Sequence, residues 1–129
     1  MNVVPVYAAL LALMFVALSV RTLMLRRSLG IAIGDGDNTR MLRATRVHAN
    51  FAEYVPLTLL LLFLAESRGL AESAVHMLCV CLTAGRMIHA WGVSQEAEAF
   101  LFRVSGMALT FTSLIGVAVA LLRQSFSAI

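Results

Sequence analysis

Residues 43–65 read Arg-Ala-Thr-Arg-Val-His-Ala-Asn-Phe-Ala-Glu-Tyr-Val-Pro-Leu-Thr-Leu-Leu-Leu-Leu-Phe-Leu-Ala. The second half is an almost unbroken apolar run, and the first half carries charges at helical spacing. At about 100° per residue, Arg43, Arg46, Asn50 and Glu53 fall at roughly 0°, 300°, 340° and 280°, a band near 80° wide. His48 projects about 140° from Arg43 and lies off that stripe, either supporting it from a neighbouring helix or facing the headgroups. A polar stripe running into an apolar segment long enough for a membrane must face protein or a wet cavity, because each unpaired charge at that depth costs several kcal/mol.

Outward from this segment the rest of the chain has the same character. Of the 129 residues, 60% are hydrophobic and 13% charged, about half the charged fraction of an ordinary soluble domain. So few charges could not cover that apolar surface in water, so the excess faces lipid. Four spans are predicted, at about residues 3–27, 41–67, 74–93 and 97–122, each long enough for a hydrocarbon core that needs about 20 apolar residues. The fold class is therefore all-α integral membrane, a four-helix antiparallel bundle in one domain, with short links joining antiparallel neighbours. A cleaved signal peptide is the rival reading of the first span, but no basic region precedes its apolar stretch.

The first connection, Ser28 to Arg40, holds three glycines and two aspartates whose turn chemistry breaks a helix. Asp35 and Asp37 alternating with Gly34 and Gly36 faintly suggest a calcium loop, yet the other ligand positions and the closing glutamate are absent. Arg26, Arg27, Arg40 and Arg43 flank this connection, whereas the second has only Arg68 beside Glu66 and Glu72. The positive-inside rule puts the first loop in the cytoplasm and both termini on the other side. All ten basic residues are arginine. They interrupt apolar stretches singly or in pairs, which argues against nucleic acid as a partner. Cys79 and Cys81 point about 200° apart on a helix and cannot pair; with no Cys/His cluster, no metal site is expected.

Further polar groups lie on the third and fourth spans. Arg86 and His89 are three apart and share a face, as do Arg103, Gly106, Thr110 and Ser113. Two readings stand side by side. One is an intramembrane network, Arg46 with Glu53 and neighbours, that only glues helices. The other is one shared site for a small zwitterionic or anionic ligand, because guanidinium forks suit carboxylates and a glutamate suits an ammonium group. Four helices are few to enclose and shield such a site, so a homo-oligomer with sites at subunit boundaries is expected. Pro56 is read as a packing kink and Trp91 as an interface anchor.

The spacing Arg43-x-x-Arg46-x-x-x-Asn50-x-x-Glu53 followed by Tyr54-x-Pro56 resembles the signature of the MAPEG superfamily, the membrane-associated proteins of eicosanoid and glutathione metabolism. Length, four spans, the long first loop and the placement of Arg86, His89 and Arg103 extend the resemblance over the whole chain, closest to short bacterial members. It implies a homotrimer in the bilayer, here a bacterial inner membrane, with glutathione bound as co-substrate between subunits near the cytoplasmic side. By position, Arg46, Asn50 and Glu53 match the residues that hold glutathione, with Arg43 nearby and Tyr54 within reach of the ligand. Arg26 resembles the basic residue that reaches over from the neighbouring subunit, and His89 matches a ligand-contacting position. Arg103 resembles the arginine assigned to activating the thiol, since a guanidinium beside sulfur favours thiolate, the nucleophile.

The implied activity is that of a glutathione-dependent transferase or peroxidase acting on hydrophobic electrophiles or lipid hydroperoxides. Two departures from the family pattern stand out. Val93 occupies a position where several eicosanoid-forming members have a tyrosine that contacts glutathione, and the spacing from Gly92 to Arg103 differs from theirs. The alternatives are a non-catalytic lipid-binding or partner-regulating membrane protein of the same fold, or a small channel or transporter that uses the arginines as an anion path.

Overall fold

The computed structural model describes residues 3–95, 97 and 99–126. Four helices follow in order: α1 Val4–Leu29, α2 Thr39–Ser67, α3 Glu72–Ser94 and α4 Phe100–Phe126. All four are long and apolar enough to cross a membrane. Each start and stop has a local cause. Pro5 sits in the first turn of α1, where its missing N–H costs nothing. Gly30, at φ 67°, closes the far end in the left-handed conformation that glycine adopts without a Cβ penalty. Asn38 caps α2 by accepting the Met41 N–H at 3.1 Å, which starts the helix two residues earlier than the apolar pattern does. The fourth helix begins at Phe100, later than the expected residue 97; Glu96 and Glu98, which precede it in the sequence, lie outside the described residues.

Consecutive helices run antiparallel, as their contacts show: Val4 meets Glu66 across α1 and α2, Arg43 meets Val93 across α2 and α3, and Gly92 meets Phe102 across α3 and α4. The apolar core joins Leu11 of α1, Phe51, Val55 and Leu62 of α2, Val75, Cys79 and Leu82 of α3, and Val117 of α4. Outside it, Leu13, Leu60, Met77, Ile115 and many other large apolar side chains stand exposed, the pattern of a surface whose solvent is lipid.

The closest approach in the bundle is between α3 and α4. A Cβ built on Gly106 would lie 2.6 Å from the His89 backbone nitrogen and 2.7 Å from the Gly85 carbonyl oxygen. A Cβ on Gly85 would in turn meet the Gly106 carbonyl oxygen at 2.8 Å. Only glycine fits at either place, and small residues are what let membrane helices bring their backbones together. Buried Ser113 donates to the Leu78 carbonyl at 2.8 Å across the same seam. Thr110 donates to the Gly106 carbonyl of its own helix at 2.9 Å. Gly106, Thr110 and Ser113, which share a face with Arg103, thus belong to helix packing and not to a ligand site.

At the opposite end of the bundle, the Glu66 carboxylate receives the backbone N–H groups of Val3 and Val4. These are orphan donors of the first turn of α1, and an anion there also meets the positive end of the helix dipole. The sequence shows Glu66 only as the end of α2; its role as the cap of α1 comes from a contact 63 residues away.

Candidate functional site

Near the end of the bundle that carries the first loop, α2, α3 and α4 leave a cleft of about 230 Å³ lined by Thr39, Leu42, Arg43, Arg46, Asn50, His89, Val93 and Arg103. Five residues singled out by spacing alone, from three helices, meet there: Arg43, Arg46, Asn50, His89 and Arg103. The α2 members arrive together because a helix presents positions three and four apart on one face. Arg103, in the first turn of α4, comes within reach because Gly92 lets α4 approach α3: a Cβ there would meet Phe102 Cβ at 2.7 Å.

The chemical key to the cleft is a residue behind it. Arg86 is 1% exposed, and its Nη1 donates to Asn50 Oδ1 at 2.6 Å while Nη2 lies 3.3 Å from the Met107 sulfur. A guanidinium can only donate, so Asn50 must turn its oxygen toward Arg86 and its NH₂ group away. Asn50 is thereby fixed as a donor. With the three arginines on the rim, the described residues of the lining present hydrogen-bond donors and positive charge. Such a surface suits a carboxylate or another oxyanion. Sequence periodicity places Arg86 beside His89 but gives no sign that it holds Asn50, a contact between helices.

Arg43 Nη1 donates to the Val93 carbonyl at 3.3 Å, so Val93 contributes an apolar side chain to the cleft and a backbone oxygen that steadies one of its cations. His89 is buried at 5% exposure with its side chain on the cleft wall. Arg46 and Glu53 make no ion pair with each other among the described residues, and both lie exposed. They stand two helical turns apart on one face of α2. Glu53 sits near the midpoint of α2, an exposed charge at a depth where lipid gives it no partner.

Three expected residues lie outside the cleft. Glu53 continues the stripe one turn beyond Asn50. Tyr54 turns to α4, its ring edge-on to Phe111 at 5.4 Å between centroids. Arg26 reaches the first loop, where its Nη1 donates to the Gly34 carbonyl at 2.9 Å and the Ala32 carbonyl at 3.4 Å. His48 is held between α1 and α2, with Nε2 3.0 Å from Ser19 Oγ and its ring stacked on Phe15 at 4.7 Å. It takes no part in the cleft.

The family comparison meets this geometry directly, for the MAPEG family profile matches residues 4–123. The chain belongs to the MAPEG family. It is similar to the inner membrane protein YecN of Escherichia coli, at 34% identity over 109 residues, which covers 84% of this chain and 82% of that protein. The same-named protein of a second Escherichia coli strain matches equally. No solved structure matches the chain significantly. As a MAPEG protein it is a multi-pass membrane protein whose four helices lie in a lipid bilayer.

Proposed function

We propose that this MAPEG protein is a glutathione-dependent transferase or peroxidase of the bacterial inner membrane, with its first loop cytoplasmic. The observation that carries the reading is the convergence of Arg43, Arg46, Asn50, His89 and Arg103 on one cleft, with Asn50 held as a donor by Arg86. Glutathione offers two carboxylates, an ammonium group and a thiol. The arginines and the Asn50 amide suit the carboxylates, and exposed Glu53 suits the ammonium group. YecN, described as an inner membrane protein, supports the location.

The cleft volume supports a subunit boundary. At about 230 Å³ it is smaller than the roughly 300–1,000 Å³ of usual small-molecule sites, and it is open on one side. A second subunit of a homotrimer would complete it, cover Glu53 and bring its own Arg26 toward the ligand. The carbonyls that Arg26 contacts belong to a loop rich in positive-φ glycines, so the arginine can exchange those neutral partners for a carboxylate, a stronger charge-assisted bond.

Chemistry would centre on Arg103. Its guanidinium favours the thiolate over the thiol, and the displaced proton goes to solvent at the cleft mouth. In transfer, the thiolate sulfur bonds to an electrophilic carbon of a hydrophobic acceptor, whose leaving group departs with the electron pair. In peroxide reduction, the same sulfur takes the terminal oxygen of a lipid hydroperoxide. The O–O bond breaks to a sulfenic acid and an alkoxide, which takes a proton from water to give the alcohol, and a second glutathione converts the sulfenic acid to disulfide and water. Acceptors would arrive from the lipid side, where the chain surface is apolar.

Equilibrium binding of glutathione to the detergent-solubilised protein tests the reading. Wild type is expected to bind at millimolar glutathione or below, and Arg46→Ala to lose about tenfold or more in affinity, the worth of one hydrogen bond to a charged group. Absence of binding by wild type at millimolar glutathione would remove the assignment and leave the family and fold.

A further inference from the structure

Met107, in the second turn of α4, is half-buried, and its sulfur accepts from Arg86 Nη2 at 3.3 Å. A thioether is a weak acceptor, and here it serves a guanidinium that is 1% exposed. The other acceptor of that cation is the neutral Asn50 oxygen on Nη1. Its Nε is buried with no partner among the described residues. The buried cation is therefore short of acceptors on the side where Met107 meets it.

Met107 also lines a groove of about 460 Å³ along α4, with Phe100, Arg103, Val104, Ala108 and Phe111. These positions recur at steps of three and four, which puts them on one face of the helix. Phe100, Val104 and Phe111 stand exposed, so the groove opens toward lipid. It adjoins the oxyanion cleft at Arg103, which lines both. Met107 thus places an oxidisable sulfur between an apolar groove and a buried hydrogen-bond donor.

We propose that Met107 is an oxidation site: a hydrophobic hydroperoxide seated in this groove gives its terminal oxygen to the sulfur, and Arg86 holds the resulting sulfoxide. A sulfur lone pair forms the S–O bond as the O–O bond breaks, and the hydroperoxide proton passes to the leaving alkoxide. One thioether and one hydroperoxide become one sulfoxide and one alcohol; sulfur is oxidised by two electrons and the peroxide is reduced. Negative charge grows on the transferred oxygen beside Arg86 Nη2, and a fixed, buried donor stabilises charge as it develops. The sulfoxide oxygen is also a stronger acceptor than the thioether, so the product supplies what the buried cation lacks. Entry of the hydroperoxide from lipid rests on the reading of function above, but glutathione takes no part in the step. The site acts once per chain, when no thiolate intercepts the peroxide.

The test is oxidation of the solubilised full-length protein, free of glutathione, by cumene hydroperoxide and separately by hydrogen peroxide, with the sulfoxides located by peptide mass spectrometry. Exposure alone favours Met24, Met77 and Met87, at 66%, 64% and 60%. With cumene hydroperoxide, Met107 is expected to react about tenfold or more faster than any of these, the effect of one hydrogen bond from a charged group in the transition state. One cumyl alcohol per chain should appear in that fast phase. Ala108→Trp, which fills the groove, should bring Met107 down to the rate of the exposed methionines at unchanged elution volume. Hydrogen peroxide, which has no apolar part, should show no preference for Met107. Protein oxidised at Met107 alone should keep its thermal midpoint, because the new oxygen is paired. A Met107 no faster than Met77 or Met87 overturns the proposal, as does a preference that persists with hydrogen peroxide or in Ala108→Trp. A midpoint lowered by oxidation at Met107 overturns it too, for Arg86 then does not take the oxygen. With no glutathione present, the result is independent of whether the cleft binds it.

Discussion

The seam between α3 and α4 and the stripe on α2 are both polar interruptions of apolar helices, yet they end in opposite states. Along the seam every polar group that was read with Arg103 is consumed by packing: Thr110 and Ser113 are buried and bonded to backbone carbonyls, and Gly85 and Gly106 touch backbone to backbone. Along the stripe, Arg46 and Glu53 stay exposed, and Asn50 is fixed so that its donors face the cleft. Along the seam, the hydroxyls that the bundle uses for itself are satisfied inside it. Charges left on its outside at membrane depth need partners that the single chain does not supply.

That contrast breaks most readily at the seam. Gly106→Leu is expected to separate α3 from α4 and abolish the folded, monodisperse protein, as judged by size-exclusion chromatography in mild detergent. Gly106→Ala should retain the fold at a cost of about 1–3 kcal/mol, the usual penalty of overpacking, seen as a lower thermal midpoint. The stripe should behave in the reverse way. Arg46→Ala should lower glutathione affinity by about tenfold or more while stability changes by less than about 0.5 kcal/mol, as for other exposed substitutions.

A sharper division runs through Asn50. Asn50→Asp gives Arg86 a carboxylate partner and so retains or raises the thermal midpoint, but it replaces a ligand donor with an acceptor of the wrong charge. Glutathione affinity is expected to fall about tenfold, with the fold intact by circular dichroism. The smallest effect belongs to Ser113→Ala. Loss of its bond to Leu78 should cost about 0.6 kcal/mol, the average for interhelical hydrogen bonds in membranes, and leave glutathione binding unchanged.

How much of this was readable in advance depends on whether the cause is local. The four spans follow from apolar length, and the grouping of Arg43, Arg46 and Asn50 follows from helical periodicity, because both are properties of one segment. Face-sharing on α4 was less informative. Arg103, Gly106, Thr110 and Ser113 do share a face, but periodicity cannot say that α3 presses against most of it and leaves only Arg103 at a cleft. The bonds that decide the site's polarity are between helices, Arg86 to Asn50 and Arg43 to Val93. Nothing in a single helix specifies them. The same holds for Glu66 capping α1 and for Arg26 folding onto the carbonyls of Ala32 and Gly34, where a loop's backbone supplies partners that composition does not reveal.

The central claim is that the cleft binds glutathione and that Arg103 turns its thiol into a thiolate. Ultraviolet difference spectroscopy on the solubilised protein measures this directly. Wild type should develop thiolate absorbance on adding glutathione, and Arg103→Ala should bind glutathione without developing it. Thiolate absorbance of equal size in Arg103→Ala, or none in a wild type that binds glutathione, would contradict the claim.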